Sequence, residues 1–167
     1  RLGLRLIMLP SVWYKASFPR LTGNHNGRRI DVETETRGHG KNKQHYTKIS
    51  LETKNEGYSL QLTKEYWISN VGKTLFGVQD IQINDSFFDK KFIIKSDNEI
   101  FAKRFFNQDM KRVLTDFHPN FNGEIVVEPF KIYFTQIYQI NSEKTYNLTL
   151  EAIEMLNKVA NRVESFE

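Results

Sequence analysis

Residues 79–117 constrain the fold more than any other stretch, because their apolar period changes from two residues to nearly four. Before residue 96, apolar and polar side chains alternate, which predicts two β-strands joined by a polar turn at residues 84–86. After it, an apolar stripe with helical spacing runs to Phe117, and residues 96–98 supply an N-cap. The stretch therefore predicts strand, turn, strand and long helix, with most of its phenylalanines in a core.

The rest of the chain adds sheet and helix to this unit. Alternation predicts further strands at residues 29–36, 44–53, 58–63, 124–127 and 130–138. We predict an α+β fold in which a mainly antiparallel sheet of about seven strands carries two long helices, at about 98–117 and 146–166. Residues 21–28 are expected to form a glycine and asparagine turn. We divide the chain into an apolar, basic segment, 1–20, and a single domain, 21–167.

Composition excludes several classes of function. The 167 residues suit one domain with a sizeable core, and the 13 phenylalanines argue against disorder. The absence of cysteine rules out disulfides, thiolate metal sites and a cysteine nucleophile. A net charge of +4 is too small to predict nucleic-acid binding. We expect no nucleic-acid partner and no cofactor.

The charge is uneven along the chain. Residues 1–73 carry 13 Lys and Arg against 6 Asp and Glu, whereas the remainder carries 11 against 14. Segment 1–20 either packs on the core or lies beside a membrane, with its basic side chains facing anionic head groups. Because the chain begins at Arg1 rather than Met, we expect a longer protein. The candidate anion or membrane contacts are Arg5, Lys15, Arg20, Arg37, Lys41 and Lys43.

A basic, glycine-rich loop, RGHGKNK at residues 37–43, joins two of the predicted strands. Its backbone N–H groups and lysines could hold a phosphate or a nucleotide. No helical pattern follows the loop and the Walker pattern is absent, so a hairpin loop without a ligand is the alternative.

Other candidates for chemistry are weaker. His39 and His45 could meet across the hairpin and bind a metal with Glu33 or Glu35, but the spacing matches no established metal motif. Four aspartates recur through the central unit and could form an acid–base pair or a cation site: Asp80, Asp85, Asp89 and Asp97. Turn and cap roles explain two of them without catalysis. We assign no catalytic residue and no metal ligand.

The stretch FFDKKFIIKSDNEIFAKRFF, residues 87–106, resembles a strand of pattern F-(D/E)-x-x-F-x-(V/I), an acidic turn and a long helix in uncharacterised bacterial proteins. In that family, one or more transmembrane helices precede a soluble domain. Residues 79–81 and 84–85 match the strand and turn before this motif, and 124–166 match the final strands and helix. The resemblance is best over 77–117, and it implies a membrane-tethered domain without known catalytic residues.

We therefore predict a non-enzymatic binding or scaffold domain, tethered to a bacterial membrane and facing the cytoplasm. Its partner would be an anionic membrane surface or another protein. Two alternatives remain: a phosphate or nucleotide module using the 37–43 loop, and an enzyme with an unrecognised carboxylate site.

Overall fold

The structure, a computed structural model, describes residues 5–7, 20–64, 79–117, 119 and 121–166. Its strands are β1 Arg5–Ile7, β2 Arg20–His25, β3 Arg28–Arg37, β4 Gln44–Glu52, β5 Leu60–Lys64, β6 Phe92–Ser96, β7 Gly123–Glu128 and β8 Lys131–Gln136. Its α-helices are α1 Ser86–Asp89, α2 Glu99–Phe105, α3 Gln108–Phe117 and α4 Glu143–Glu164. The eight strands form one antiparallel sheet in the order β1-β2-β3-β4-β8-β7-β5-β6. The predicted α+β class is confirmed.

The core lies between one face of this sheet and the helices. Alternate residues of β4, β7 and β8 supply the sheet side, among them Ile49, Ile125 and Phe134, all at most 1% exposed. Ile153 and Leu156 of α4 are fully buried in the same cluster. The residues that alternate with these core residues point to the second face of the sheet, which lies opposite the helices.

Two elements at one end of the sheet differ from prediction. Residues 21–28 were expected to be a turn, but β2 and β3 pair there around Asn26 and Gly27, at φ 51° and 77°. Positive φ at both positions is typical of a type I′ turn, which matches the twist of a tight hairpin. Beyond β2, residues 5–7 of the predicted N-terminal segment form the edge strand β1.

The central unit also departs from its pattern. The Asp85 carboxylate accepts hydrogen bonds from the backbone N–H groups of Phe87 and Phe88, which starts the one-turn helix α1 where a strand was predicted. Residues 79–83 form no strand, although Ile81 N donates to Ile94 O of β6 over 2.8 Å. This hydrogen bond joins the segment before α1 to β6, which is an edge strand of the sheet.

The predicted helix 98–117 is two helices. Phe106 leaves helical geometry at φ −79° and ψ 56°. Asn107 then restarts the helix, because its Oδ1 accepts from Met110 N over 2.9 Å. The last helix begins at residue 143, before the predicted 146, because Ser142 and Thr145 form a capping box.

Within the described ranges, no helix is long and apolar enough to cross a bilayer. This finding contradicts the predicted location, a membrane-tethered domain that faces the cytoplasm. Residues 8–19, the larger part of the segment on which that prediction drew, lie outside the described residues.

The turn between β7 and β8 contains a strained phenylalanine. Phe130 adopts φ 65° although its ring is 58% exposed, and its backbone is fixed by hydrogen bonds to Thr53 and Asn55. The left-handed region costs a residue with a Cβ about 1–2 kcal/mol, and asparagine tolerates it better.

We expect Phe130→Asn to raise the free energy of unfolding by about 0.5–1 kcal/mol, as a part of that strain is relieved. Urea denaturation measures the change. Phe87→Asn is the matched control, since Phe87 is 59% exposed and has no positive φ. A loss of stability in Phe130→Asn would show that the ring contributes packing that outweighs the strain.

Candidate functional site

The second face of the sheet carries a cluster of polar side chains at its centre. Glu124 of β7 lies opposite Thr63 of β5 and Thr135 of β8, and Thr135 lies opposite Lys48 of β4. The side chains of β3, β4, β5 and β7 meet across this row. We define the Glu124 cluster as Glu35, Arg37, Lys48, Gln61 and Glu124.

Glu124 is the most unusual member. It is only 4% exposed, and Gln61 Nε2 donates to its Oε2 over 3.2 Å. No described group bonds its other carboxylate oxygen, Oε1. Burial raises the pKa of Glu124 above its usual value, and this outweighs the opposing effects of the Gln61 hydrogen bond and of the Arg37 and Lys48 charges. The carboxyl therefore keeps its proton at a higher pH than an exposed glutamate does.

Glu35 is shifted in the opposite direction. Arg37 Nη2 lies 3.0 Å from its Oε2, and Lys48 Nζ lies 3.2 Å from its Oε1. Burial alone would raise the pKa of Glu35, but the hydrogen bonds and charges of Arg37 and Lys48 outweigh it and hold the pKa below its usual value. The cluster thus combines one carboxyl whose pKa is raised, Glu124, with one whose pKa is lowered, Glu35.

Two tyrosine rings hold the cations in place. Arg37 Cζ lies 4.8 Å from the centre of the Tyr46 ring, and Lys48 Nζ lies 4.9 Å from that of Tyr133. Such cation–π contacts add to the ion pairs with Glu35. Both cations are therefore held in a fixed arrangement by partners other than Glu124.

Of the predicted anion contacts that lie among the described residues, Arg37 alone joins the Glu124 cluster, and its guanidinium faces Glu35. Arg20 instead forms an ion pair with Asp31 of β3 over 3.0 Å. Arg5 is exposed on β1, and Lys15 lies outside the described residues.

The remaining two predicted contacts, Lys41 and Lys43, are exposed at the tip of the β3–β4 hairpin. The glycines of this loop have a structural role. Gly38 has φ 89°, and a Cβ there would lie 2.3 Å from the backbone oxygen of Asn42. The loop is therefore a tight turn that requires glycine at this position.

The other candidates have structural partners. Asp85 caps α1 and forms an ion pair with Lys111 over 3.0 Å. Asp89 accepts hydrogen bonds from the backbone of Ile83 and Asp85. Among the described residues, no group of three or more histidine, aspartate or glutamate side chains is placed to hold a metal ion.

Three surface grooves of about 560, 400 and 300 Å³ flank residues 79–90. Their charged walls include the ion pairs Asp85–Lys111 and Glu99–Lys103. None of the three is lined by a member of the Glu124 cluster. These three grooves therefore lie away from the Glu124 cluster.

Sequence analysis missed Glu124, Gln61 and Lys48. A signal was present, because Glu124 and Val126 share one face of a strand whose other face is apolar. Val126 is buried although it lies outside the core cluster. An apolar residue beside a glutamate on this face indicates that the face is covered, and hence that the glutamate is buried.

No family model matches the chain. No curated protein matches it either. Among solved structures, the crystal structure of the mycobacterial trehalose monomycolate transport factor A is similar, with a TM-score of 0.59 and 12% sequence identity over 86% of this chain and 71% of that chain. At this level of identity, the chain shares the fold of that transport factor.

Proposed function

We propose that this chain is a non-enzymatic binding domain that holds a hydroxyl-rich ligand, such as a sugar, at the Glu124 cluster. The observation that carries the proposal is the oxygen Oε1 of Glu124, which no described group bonds although the residue is only 4% exposed. Oε1 is not one of the fully buried side-chain oxygens without a partner, which among the described residues are Asp31 Oδ1 and Asn157 Oδ1. A ligand group can therefore reach this oxygen and bond it.

Hydroxyl groups suit the surroundings, because each one both donates and accepts hydrogen bonds. Glu124 is flanked in register by the hydroxyl side chains of Thr63 and Thr135. The Gln61 amide adds both a donor and an acceptor. The site thus offers short polar groups of both kinds on a rigid sheet.

The comparison with solved structures supports the ligand class. The similar protein is described as a transport factor for trehalose monomycolate, a glycolipid with a trehalose head group. Trehalose is therefore the first probe to use. The proposal rests mainly on the Glu124 cluster, because a shared fold alone does not identify a ligand.

Calorimetric titration of the wild-type chain with trehalose is expected to show binding, and Glu124→Leu is expected to weaken it about tenfold or more through the lost hydrogen bond. Glu128→Leu is the matched control, because Glu128 lies on the same strand and face outside the cluster. It should bind as the wild type does. No heat of binding in the wild type, or equal losses in both variants, would contradict the proposal.

A second candidate is acid–base catalysis on such a ligand. The opposite pKa shifts of Glu124 and Glu35 favour it, because paired carboxyls with separated pKa values are typical of acid–base sites. Prolonged incubation with trehalose distinguishes the two candidates. Release of glucose by the wild type but not by Glu35→Gln would replace the binding role with an enzymatic one.

A further inference from the structure

The tip of the β3–β4 hairpin extends beyond the strands on either side of it. Among the described residues, β4 pairs with β8 only from Thr47 onward, and β3 pairs with β2 only up to Val32. Beyond these points, β3 and β4 pair with each other as far as Arg37 and Gln44. Residues 38–44 are all exposed. A partner can therefore reach the tip without any rearrangement of the sheet.

The tip is cationic and contains no acidic residue. Lys41 and Lys43 are exposed, and neither forms an ion pair with a described residue. The nearest acidic residues along the chain are Glu35 and Glu52. Glu35 already lies within 3.2 Å of two cations, and Glu52 lies at the far end of β4. The charges of the two lysines are therefore not neutralised within the described part of the chain.

The turn holds the two lysines in a defined place. Gly38 has φ 89° and lies so close to Asn42 that no Cβ would fit, and Asn42 N donates to His39 O over 3.2 Å. Gly40 also has a positive φ, 59°, and turns of this kind can direct successive backbone N–H groups toward an anion. A preformed turn loses less conformational freedom on binding than a disordered loop does.

The charge of the connections differs between the two ends of the sheet. Four described connections lie at the hairpin end: 38–43, 90–91, 121–122 and 137–141. Four lie at the opposite end: 26–27, 53–59, 97–98 and 129–130. The first set carries four lysines and no acidic residue, whereas the second carries one lysine, one glutamate and one aspartate. This polarity directs the hairpin end toward an anionic partner.

We infer that the hairpin tip docks on an anionic lipid surface, with Lys41 and Lys43 against the phosphate and carboxylate groups of the lipid heads. The contact is electrostatic and reversible, because the tip carries no apolar side chain that could enter the bilayer. Neither lysine belongs to the Glu124 cluster, so the inference does not depend on the proposed function.

Two other anionic partners fit the tip less well. A protein interface is usually anchored by apolar or aromatic side chains, and the loop sequence RGHGKNK has none. A two-stranded ribbon can enter the major groove of DNA, but Glu33 and Glu35 on β3 would then approach the phosphates. A planar lipid surface meets the tip alone and avoids both carboxylates.

Sedimentation of the wild-type chain with vesicles of phosphatidylcholine and phosphatidylserine measures the docking. The chain should be retained at low salt and released as the salt rises above about 0.1 M, where the Debye length is about 10 Å. Lys41→Gln combined with Lys43→Gln should weaken retention about tenfold or more, since each lysine near an anionic surface contributes severalfold. Lys54→Gln combined with Lys131→Gln is the matched control, because it removes two exposed lysines at the opposite end. It should be retained as the wild type is.

Three results would overturn the inference. Equal losses in the two double variants would show that general positive charge, and not the tip, is responsible. Absence of wild-type retention, or equal retention by vesicles of phosphatidylcholine alone, would exclude an anionic lipid surface. Retention of a DNA duplex through Lys41 and Lys43, with none by the vesicles, would identify nucleic acid instead. Both double variants should unfold at the wild-type temperature, because their substitutions lie on the surface.

Discussion

Phe92→Ala is expected to lower the free energy of unfolding by about 3–5 kcal/mol, the range for removing a large aromatic side chain from a core. Phe92 is 3% exposed on β6, and its ring centre lies 4.6 Å from that of Phe88 and 5.6 Å from that of Phe121. The cavity would therefore open between the sheet and α1. Urea denaturation of the two proteins measures the loss.

Lys91→Ala is the control for this prediction. Lys91 precedes β6, and its ammonium lies 3.7 Å from the ring centre of the exposed Phe87. Its removal should change stability by about 0.5 kcal/mol or less, as is usual for surface positions. If both variants lose only a small and equal amount of stability, Phe92 does not lie on the buried face of its strand.

Gly123→Ala should be nearly as damaging, at about 3 kcal/mol, the upper end of the cost of overpacking. A Cβ on Gly123 would lie 1.9 Å from the backbone oxygen of Thr135 and 2.9 Å from the Cα of Gln136. These are backbone atoms of β8, so relief requires the strands to separate. The free energy of unfolding again gives the measurement.

Gly57→Ala is the matched control for Gly123→Ala. A Cβ at Gly57 meets no atom within 4 Å, and its φ is not in the left-handed region. This variant should remain close to wild type. Gly→Ala lowers the conformational entropy of the unfolded chain, which by itself favours the folded state. Equal losses of stability in the two glycine variants would therefore contradict the clash with β8 as the cause of the loss at Gly123.

Local patterns predicted the parts of the fold that local physics determines. Alternation placed Phe92 and Ile94 of β6 on the buried face, and the structure buries both. The apolar stripe predicted helix up to Phe117. It could not locate the break at Phe106 and Asn107, because the stripe continues through the break while a side-chain cap restarts the helix.

The polar site was beyond such patterns, because its contacts join distant parts of the chain. Gln61 meets Glu124 only through the pairing of β5 with β7, which no local periodicity specifies. One contact could have been predicted from the sequence. Glu35 and Arg37 are two residues apart, so a strand places them on one face. That spacing already indicated an internal ion pair rather than an anion site.

A crystal structure of the chain with trehalose tests the central claim, that the Glu124 cluster binds the ligand, most directly. We expect a sugar oxygen within hydrogen-bond distance of Glu124 Oε1, with the Gln61–Glu124 and Lys48–Glu35 contacts retained. Sugar bound instead at the 37–43 hairpin or in the grooves beside residues 79–90, with the cluster unchanged, would contradict the claim.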